Sequence, residues 1–140
     1  MAIIQWSDTF SVGHNDIDKQ HHKMIDMIAR LQRSLGQGLV NAQIGITLKE
    51  LVQYTKYHFC EEQEIMRQIG YPEYEMHLKL HEHLTEQVVA ILNNLKNGEA
   101  LTASDLISFL KSWLVDHIVL EDKKIGVYIR ERTQSALADM

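Results

Sequence analysis

Residues 74–95 of this 140-residue chain read YEMHLKLHEHLTEQVVAILNNL. Apolar side chains and histidines recur in this stretch every three or four residues, which is the period of an α-helix that buries one face. The residues on that face are Tyr74, His77, His81, Leu84, Val88, Ile91 and Leu95. The pattern therefore predicts a helix with two buried histidines, ending at Lys96-Asn97-Gly98.

Two earlier stretches repeat this spacing. Residues 16–35 contain His21 in the repeating face, with Asn15 or Asp16 as candidate N-cap and Gly36-Gln37-Gly38 as a stop. Residues 44–69 contain His58 and Glu62 in that face and end before Gly70-Tyr71-Pro72, where proline prevents simple continuation.

A fourth helix is predicted after the candidate N-caps at 102–105. Its repeating face is formed by Leu106, Leu110, Trp113, His117 and Leu120. Asp122 departs from the spacing, because five residues on a regular helix are about 140° out of phase with His117. A π-bulge or a helix end near 119–122 would turn this carboxylate inward, and such irregularities are frequent at functional sites.

Together these elements predict an all-α fold, an antiparallel up-down-up-down four-helix bundle. The chain length fits one domain at 1–140, and one Pro with seven Gly leaves room for long helices. Residues 1–14 should form an N-terminal arm, with Trp6 and Phe10 packed on the bundle. We expect a continuing or short C-terminal helix at 123–132 and a frayed tail at 133–140.

Composition argues against several classes of function. The net charge is −5 and charges of both signs are interspersed, so no basic stripe indicates a nucleic-acid partner. No apolar run reaches about 18 residues and the start lacks a basic region, so we expect no membrane insertion and a cytoplasmic location. Cys60, the single cysteine, should be a small buried or half-exposed thiol pointing away from His58.

Seven potential metal ligands are predicted to meet at one end of the bundle. Antiparallel neighbours place them at the same level to within about two helical turns. Five imidazoles and two carboxylates in one core would be costly to bury without a cation. The seven residues are His21, His58, Glu62, His77, His81, His117 and Asp122.

The donor types restrict the metal without fixing it. Nitrogen and carboxylate donors without a thiolate suit iron, zinc, copper or manganese, and differ from the all-oxygen sites of calcium and magnesium. Seven donors are too many for one tetrahedral zinc, whereas two cations bridged by two carboxylates would use the whole set. The remaining histidines His14, His22 and His83 should have solvent or surface roles.

These residues resemble the hemerythrin family, and in particular its single-domain bacterial members, the bacteriohemerythrins. The resemblance covers nearly the whole chain, and no ligand position departs from the family pattern. The matching motifs are Asp18-Lys19-Gln20-His21 followed by Met24, His58-x3-Glu62, His77-x3-His81 and Trp113-Leu-Val-Asp-His117-x4-Asp122-Lys123.

The resemblance implies two iron ions joined by an oxo or hydroxo bridge, with dioxygen binding at the iron that has fewer histidines. One iron would be held by His77, His81 and His117, the other by His21 and His58, and both by Glu62 and Asp122. The implied function is reversible dioxygen binding by a carrier, store or delivery protein, not an enzyme, with a client oxygenase or other oxygen-using protein as a possible partner.

Two other functions remain open at the same site. One is a sensor of oxygen, nitric oxide or redox state, and the other is an iron-handling or peroxide-reacting protein. The Glu-x-x-His pairs of carboxylate-rich di-iron oxygen activators are missing, since no histidine here has Glu three residues before it. Reversible binding needs a dry pocket. Its candidate wall residues are Met24, Trp113, Leu114 and Ile118, for which ordinary core packing is an equally good interpretation.

Overall fold

The computed structural model describes residues 4–36, 42–98 and 102–138. Within these ranges the chain is helical and has no strand, which confirms the predicted all-α bundle. A short 3-10 turn, Asp8–Phe10, lies in the arm, and a π-helical turn, His117–Asp122, joins the last two helices. The helices are α1 (Asn15–Gly36), α2 (Ala42–Ile69), α3 (Tyr74–Lys96), α4 (Ala103–Asp116) and α5 (Lys123–Ala138). Residues 1–3 of the predicted arm, and Gln37 and Gly38 of the predicted stop, lie outside the described residues.

The main core lies between the four long helical segments. Helix α1 packs against α2 and α4, and α2 packs against α3. The indole N–H of Trp113 on α4 donates to the carbonyl oxygen of Leu84 on α3 at 2.9 Å, which joins the remaining pair of helices. Residues such as Ile28, Leu48 and Leu110 are fully buried in this core. Each contributes about 1.5–3 kcal/mol through removal of its side chain from water.

A second apolar cluster covers one end of the bundle. It combines residues of the arm, of the α2–α3 connection and of α5 with residues of α1 and α2 that lie one helical turn from His21 and Glu62. Its buried members are Val12, Ile17, Met66, Tyr71 and Ile125. This cluster separates the predicted ligand level from solvent at that end.

The arm is held in place by specific contacts. The carboxylate of Asp18 accepts hydrogen bonds from Ser11 Oγ at 2.6 Å and from the Val12 backbone N–H at 2.8 Å. A Cβ atom at Gly126 would lie 1.7 Å from the carbonyl oxygen of Val12, so this close approach of the arm to α5 requires glycine.

The π-helical turn confirms the predicted irregularity and corrects one buried position. Asp122 is fully buried, whereas Leu120, which we predicted to lie in the buried face, is 60% exposed. The extra residue in a π turn rotates the positions that follow it around the helix axis. The prediction for Leu120 was wrong because it continued the regular period through this turn.

The two ends of the helical region also differ from expectation. Residues predicted to fray from Thr133 onward are helical as far as Ala138, in a segment without Gly or Pro. The guanidinium of Arg132 donates to the carbonyl oxygen of Ile69 and so docks this part of α5 on the end of α2. At the start of α1 the cap is His14, whose Nδ1 accepts from the Ile17 N–H, and not Asn15 or Asp16.

Thr102 caps α4 as predicted, because its hydroxyl accepts from the Asp105 N–H at 3.0 Å. Among the described residues, no helix is both long and apolar enough to cross a membrane.

Candidate metal centre

The structure brings all seven predicted ligands together in the interior. They come from α1, α2, α3 and the π-helical turn, and the most exposed of them, His117, is only 7% exposed. Pairs four residues apart on α2 and α3 project from one face of each helix, as the spacing predicted. Asp122 joins them because hydrogen bonding over five residues in the π turn brings it towards the same side as His117.

The donor atoms form two groups that share both carboxylates. Within each group the atoms all lie within 4.8 Å of one another. Glu62 and Asp122 belong to both groups, so each carboxylate is placed to bridge two cations. The first group is Glu62, His77, His81, His117 and Asp122, and the second is His21, His58, Glu62 and Asp122.

Short contacts join the donors within each group. His21 Nε2 and His58 Nε2 are 3.0 Å apart, and His77 Nε2 and His81 Nε2 lie 2.8 Å and 3.0 Å from Glu62 Oε1. The nitrogens therefore point inward at the carboxylates and at each other.

Several of these atoms have no hydrogen-bond partner, which tests whether the residues fit a metal. Glu62 Oε2, His117 Nε2 and both oxygens of Asp122 are buried and unpaired. The Asp122 oxygens lie 2.9–3.0 Å from three histidine nitrogens without forming hydrogen bonds to them. Each unsatisfied buried group costs about 1–3 kcal/mol. Cations between these donors would satisfy all of them, so the residues fit a dinuclear metal site.

Electrostatics of the site favour cation binding. Burial alone would raise the pKa of Glu62, but contacts with four histidines lower it well below its usual value. Burial and the charge of Glu62 would raise the pKa of Asp122. Contacts with His117 and His21 outweigh them, so the pKa is lowered well below its usual value. Both carboxylates are therefore ionised near neutral pH, as metal ligation requires.

The pKa values of three histidines are shifted, in two opposite directions. Burial lowers the pKa of His21 and His77, but contacts with Asp122 and Glu62 outweigh burial and raise each pKa to about 9. For His81 burial dominates and lowers the pKa to about 4. His81 is thus neutral and ready to ligate near pH 7, whereas His21 and His77 must first release a proton.

A small cavity adjoins the second group of donors. Its volume is about 10 Å³, close to the minimum that accommodates one water-sized molecule. It is lined by the four wall residues proposed from sequence, Met24, Trp113, Leu114 and Ile118, together with Phe59, Leu84, His21, His58, His117 and Asp122.

Sequence reasoning missed Phe59, Leu84 and two glutamines at this site. Phe59 stacks on His81 with ring centroids 3.8 Å apart and planes inclined by 5°. Gln20 Oε1 lies 2.6 Å from His58 Nδ1, and Gln63 Oε1 lies 3.3 Å from His81 Nδ1. The position of Phe59 directly after His58 was the one available signal, since a neighbouring aromatic residue can pack over the same site.

Other singled-out residues lie away from the donors. His22 and His83 are exposed, as predicted, and half-buried His14 acts as the helix cap described above. Cys60 points away from His58 but is exposed, so the expectation of a buried or half-exposed thiol was wrong. It lies on the solvent-exposed side of α2.

The bundle buries seven nitrogen and carboxylate donors in two groups that share two carboxylates. This fold and this site define a dinuclear metal-binding protein. Comparison with known proteins defines its family. The model of the Hemerythrin HHE cation binding domain matches residues 12–129, so the chain belongs to the hemerythrin family.

Named relatives agree with this assignment. The chain is 32% identical over 123 residues to a bacteriohemerythrin of Stenotrophomonas maltophilia, covering 88% of this chain and 79% of that protein. It is 30% identical over 127 residues to a bacteriohemerythrin of Methylococcus capsulatus, covering 90% and 96%. A crystal structure of wild-type hemerythrin superposes with a TM-score of 0.82 at 29% identity, covering 89% of this chain and 96% of the other.

Proposed function

We propose that this protein binds dioxygen reversibly at two iron ions. The three histidines of the first donor group would hold one iron, the two of the second group would hold the other, and Glu62 and Asp122 would bridge them. One observation carries the proposal: two buried donor groups share two carboxylates beside an apolar cavity the size of a very small molecule.

Two iron ions held by these residues would supply the two electrons that dioxygen accepts on binding and returns on release. Five imidazoles and only two carboxylates give the irons less negative charge than carboxylate-rich sites do, which favours the ferrous state. The side chains hold these donors close together before any ligand arrives, because they are fixed in a packed bundle interior.

The cavity gives the second donor group a place for the ligand. Both histidines of the second group, His21 and His58, line it, whereas only His117 of the three histidines in the first group does. This arrangement supports dioxygen binding on the side of the two-histidine iron. Apolar walls from Met24, Phe59, Leu84, Trp113, Leu114 and Ile118 exclude water from that side.

The cavity lining also favours a binding protein over an enzyme. Apart from the proposed metal ligands, no titratable side chain lines the cavity in the part of the chain that the structure describes. No additional acid or base is therefore in place to deliver protons to dioxygen, as reductive chemistry would require. A carrier, store or delivery role, with an oxygenase or another oxygen-using protein as client, fits this lining.

Anaerobic loading with ferrous iron tests the proposal. We expect two irons per chain and an absorption band that appears in air and disappears under argon through repeated cycles. The His83→Ala variant should behave as wild type, because the side chain of His83 is exposed and does not belong to either donor group. Fewer than two irons per chain, or oxidation in the first cycle with rapid consumption of added peroxide, would reject reversible binding and favour a peroxide-reacting protein.

A further inference from the structure

We infer that Gln20 is a positioning residue, whose uncharged carboxamide fixes the orientation and tautomer of His58. Gln20 Oε1 lies 2.6 Å from His58 Nδ1, which is a short and strong contact between α1 and α2. The inference rests on the proposed role of His58 as a ligand of the second donor group.

The tautomer follows from the chemistry of the two atoms. A carboxamide oxygen can only accept a hydrogen bond, so His58 Nδ1 must carry the proton and Nε2 must carry the lone pair. Nε2 faces the interior of the donor cluster, 3.0 Å from His21 Nε2 and 3.4 Å from Glu62 Oε2. Gln20 therefore holds the metal-binding nitrogen of His58 in the state and direction that a cation needs.

Adjacent residues of α1 thus serve the same donor group in different ways. His21 projects into the bundle as a donor, and Gln20, about 100° further round the helix, reaches α2 and orients His58. Asp18, the nearest acidic residue in this turn, is occupied by Ser11 and Val12 of the arm. The amide is consequently the acceptor that this part of α1 presents to His58.

The absence of charge on Gln20 is the second part of the inference. A carboxylate in this position would draw the Nδ1 proton towards itself and make the imidazole a stronger donor, which would favour ferric iron. A carboxamide orients the ring while leaving it neutral. The corresponding contact in the first group, between Gln63 and His81, is longer at 3.3 Å and should hold its ring less firmly.

Cobalt(II) titration of the metal-free protein, followed by absorption, separates these effects. Gln20→Leu removes the acceptor at similar size and should weaken the more weakly held cobalt by about 10- to 100-fold. Gln20→Ala, which removes the same acceptor without adding apolar bulk, should do likewise. Gln20→Glu keeps an acceptor oxygen at this position and should bind cobalt with an affinity near the wild-type value. Gln63→Leu, the matched control, should weaken cobalt binding less than Gln20→Leu does.

A second readout addresses the charge. After iron loading, Gln20→Glu should oxidise irreversibly in air several-fold faster than wild type, although it binds cobalt normally. The positioning role would be overturned if both Gln20→Leu and Gln20→Ala kept the wild-type cobalt affinity, or if Gln20→Glu bound cobalt as weakly as Gln20→Leu. Equal oxidation rates for Gln20→Glu and wild type would overturn the role of neutrality. If the wild-type protein bound no cobalt, the proposed metal site itself would be refuted instead.

Discussion

Replacing Leu114 with Ala is expected to accelerate irreversible oxidation of the iron-loaded protein by about 10- to 100-fold. Leu114 is 3% exposed and contributes to the wall of the 10 Å³ cavity beside His21 and His58. A cavity of this size is at the threshold for a single water molecule. Removing most of the leucine side chain therefore changes the cavity from nearly dry to able to hold water.

The size of the effect can be worked from packing and hydrogen-bond energies. Buried Leu→Ala changes cost about 2.7–5.0 kcal/mol, and the spread at about 24 cal/mol per Å³ corresponds to voids of up to roughly 100 Å³. That space would take two or three waters at about 30 Å³ each. One water donating to a charged group contributes about 1.5–3 kcal/mol. Such a water would stabilise the negative charge that dioxygen gains during irreversible oxidation. Because 1.36 kcal/mol corresponds to a tenfold change in rate, this stabilisation gives the predicted acceleration.

The assay is the decay of the oxygenated absorption band in air, with Leu110→Ala as the matched control. Leu110 lies one turn earlier on α4 and is fully buried, but it does not line the cavity. Both variants should lose about 2–5 kcal/mol of unfolding free energy, while only Leu114→Ala should oxidise faster. The reasoning would be refuted if the two variants oxidised at the same rate, because general loosening of the core would then explain any change.

Three further predictions follow from the site and the arm. Glu62→Ala should abolish binding of two irons per chain, since both donor groups use this carboxylate, whereas Glu64→Ala on the same helix should retain both irons by metal analysis. Metal uptake should release protons at pH 7, because the pKa of His21 is raised to about 9 and its bound proton competes with the cation below that value. The apparent zinc affinity should therefore rise as the pH approaches 9. A zinc affinity independent of pH between 6 and 9 would contradict this prediction. Gly126→Ala should lower the unfolding free energy by about 1–3 kcal/mol, because its Cβ would overlap the backbone of the arm. Gly45→Ala, with nothing within 4 Å, should instead raise it by up to about 1 kcal/mol, and equal effects in thermal denaturation would count against the contact.

Much of the fold could be predicted because helical periodicity is a local property. Three- and four-residue spacing located the long helices, and the antiparallel order then placed His21, His58 and His77 at one end. Positions that depend on tertiary contacts could not be predicted in this way. The cap by His14 and the extension of α5 past Thr133 depend on how the arm and the end of α2 pack.

The residues around the donors show the same division. The five histidines, Glu62 and the adjacent apolar residues lie on the buried face of their helices, so their spacing revealed them, whereas Asp122 departs from that spacing. Gln20 lies off that face and reaches His58 on a neighbouring helix, and no spacing within α1 contains that relation. Phe59 likewise contacts His81 across two helices. Contacts between elements need the distances that only the folded structure supplies.

The π-helical turn explains why one local irregularity determines both the site and a surface feature. Its extra residue brings Asp122 inward, five positions after His117, and turns Leu120 out to solvent. Ile118 within the turn and Ile125 beyond it are both fully buried, one in the main core and one in the second cluster. Apolar packing on both sides therefore holds the turn, and with it the shared carboxylate, independently of any cation. Because this carboxylate belongs to both donor groups, the packing of two isoleucines helps to set the geometry of the whole metal centre.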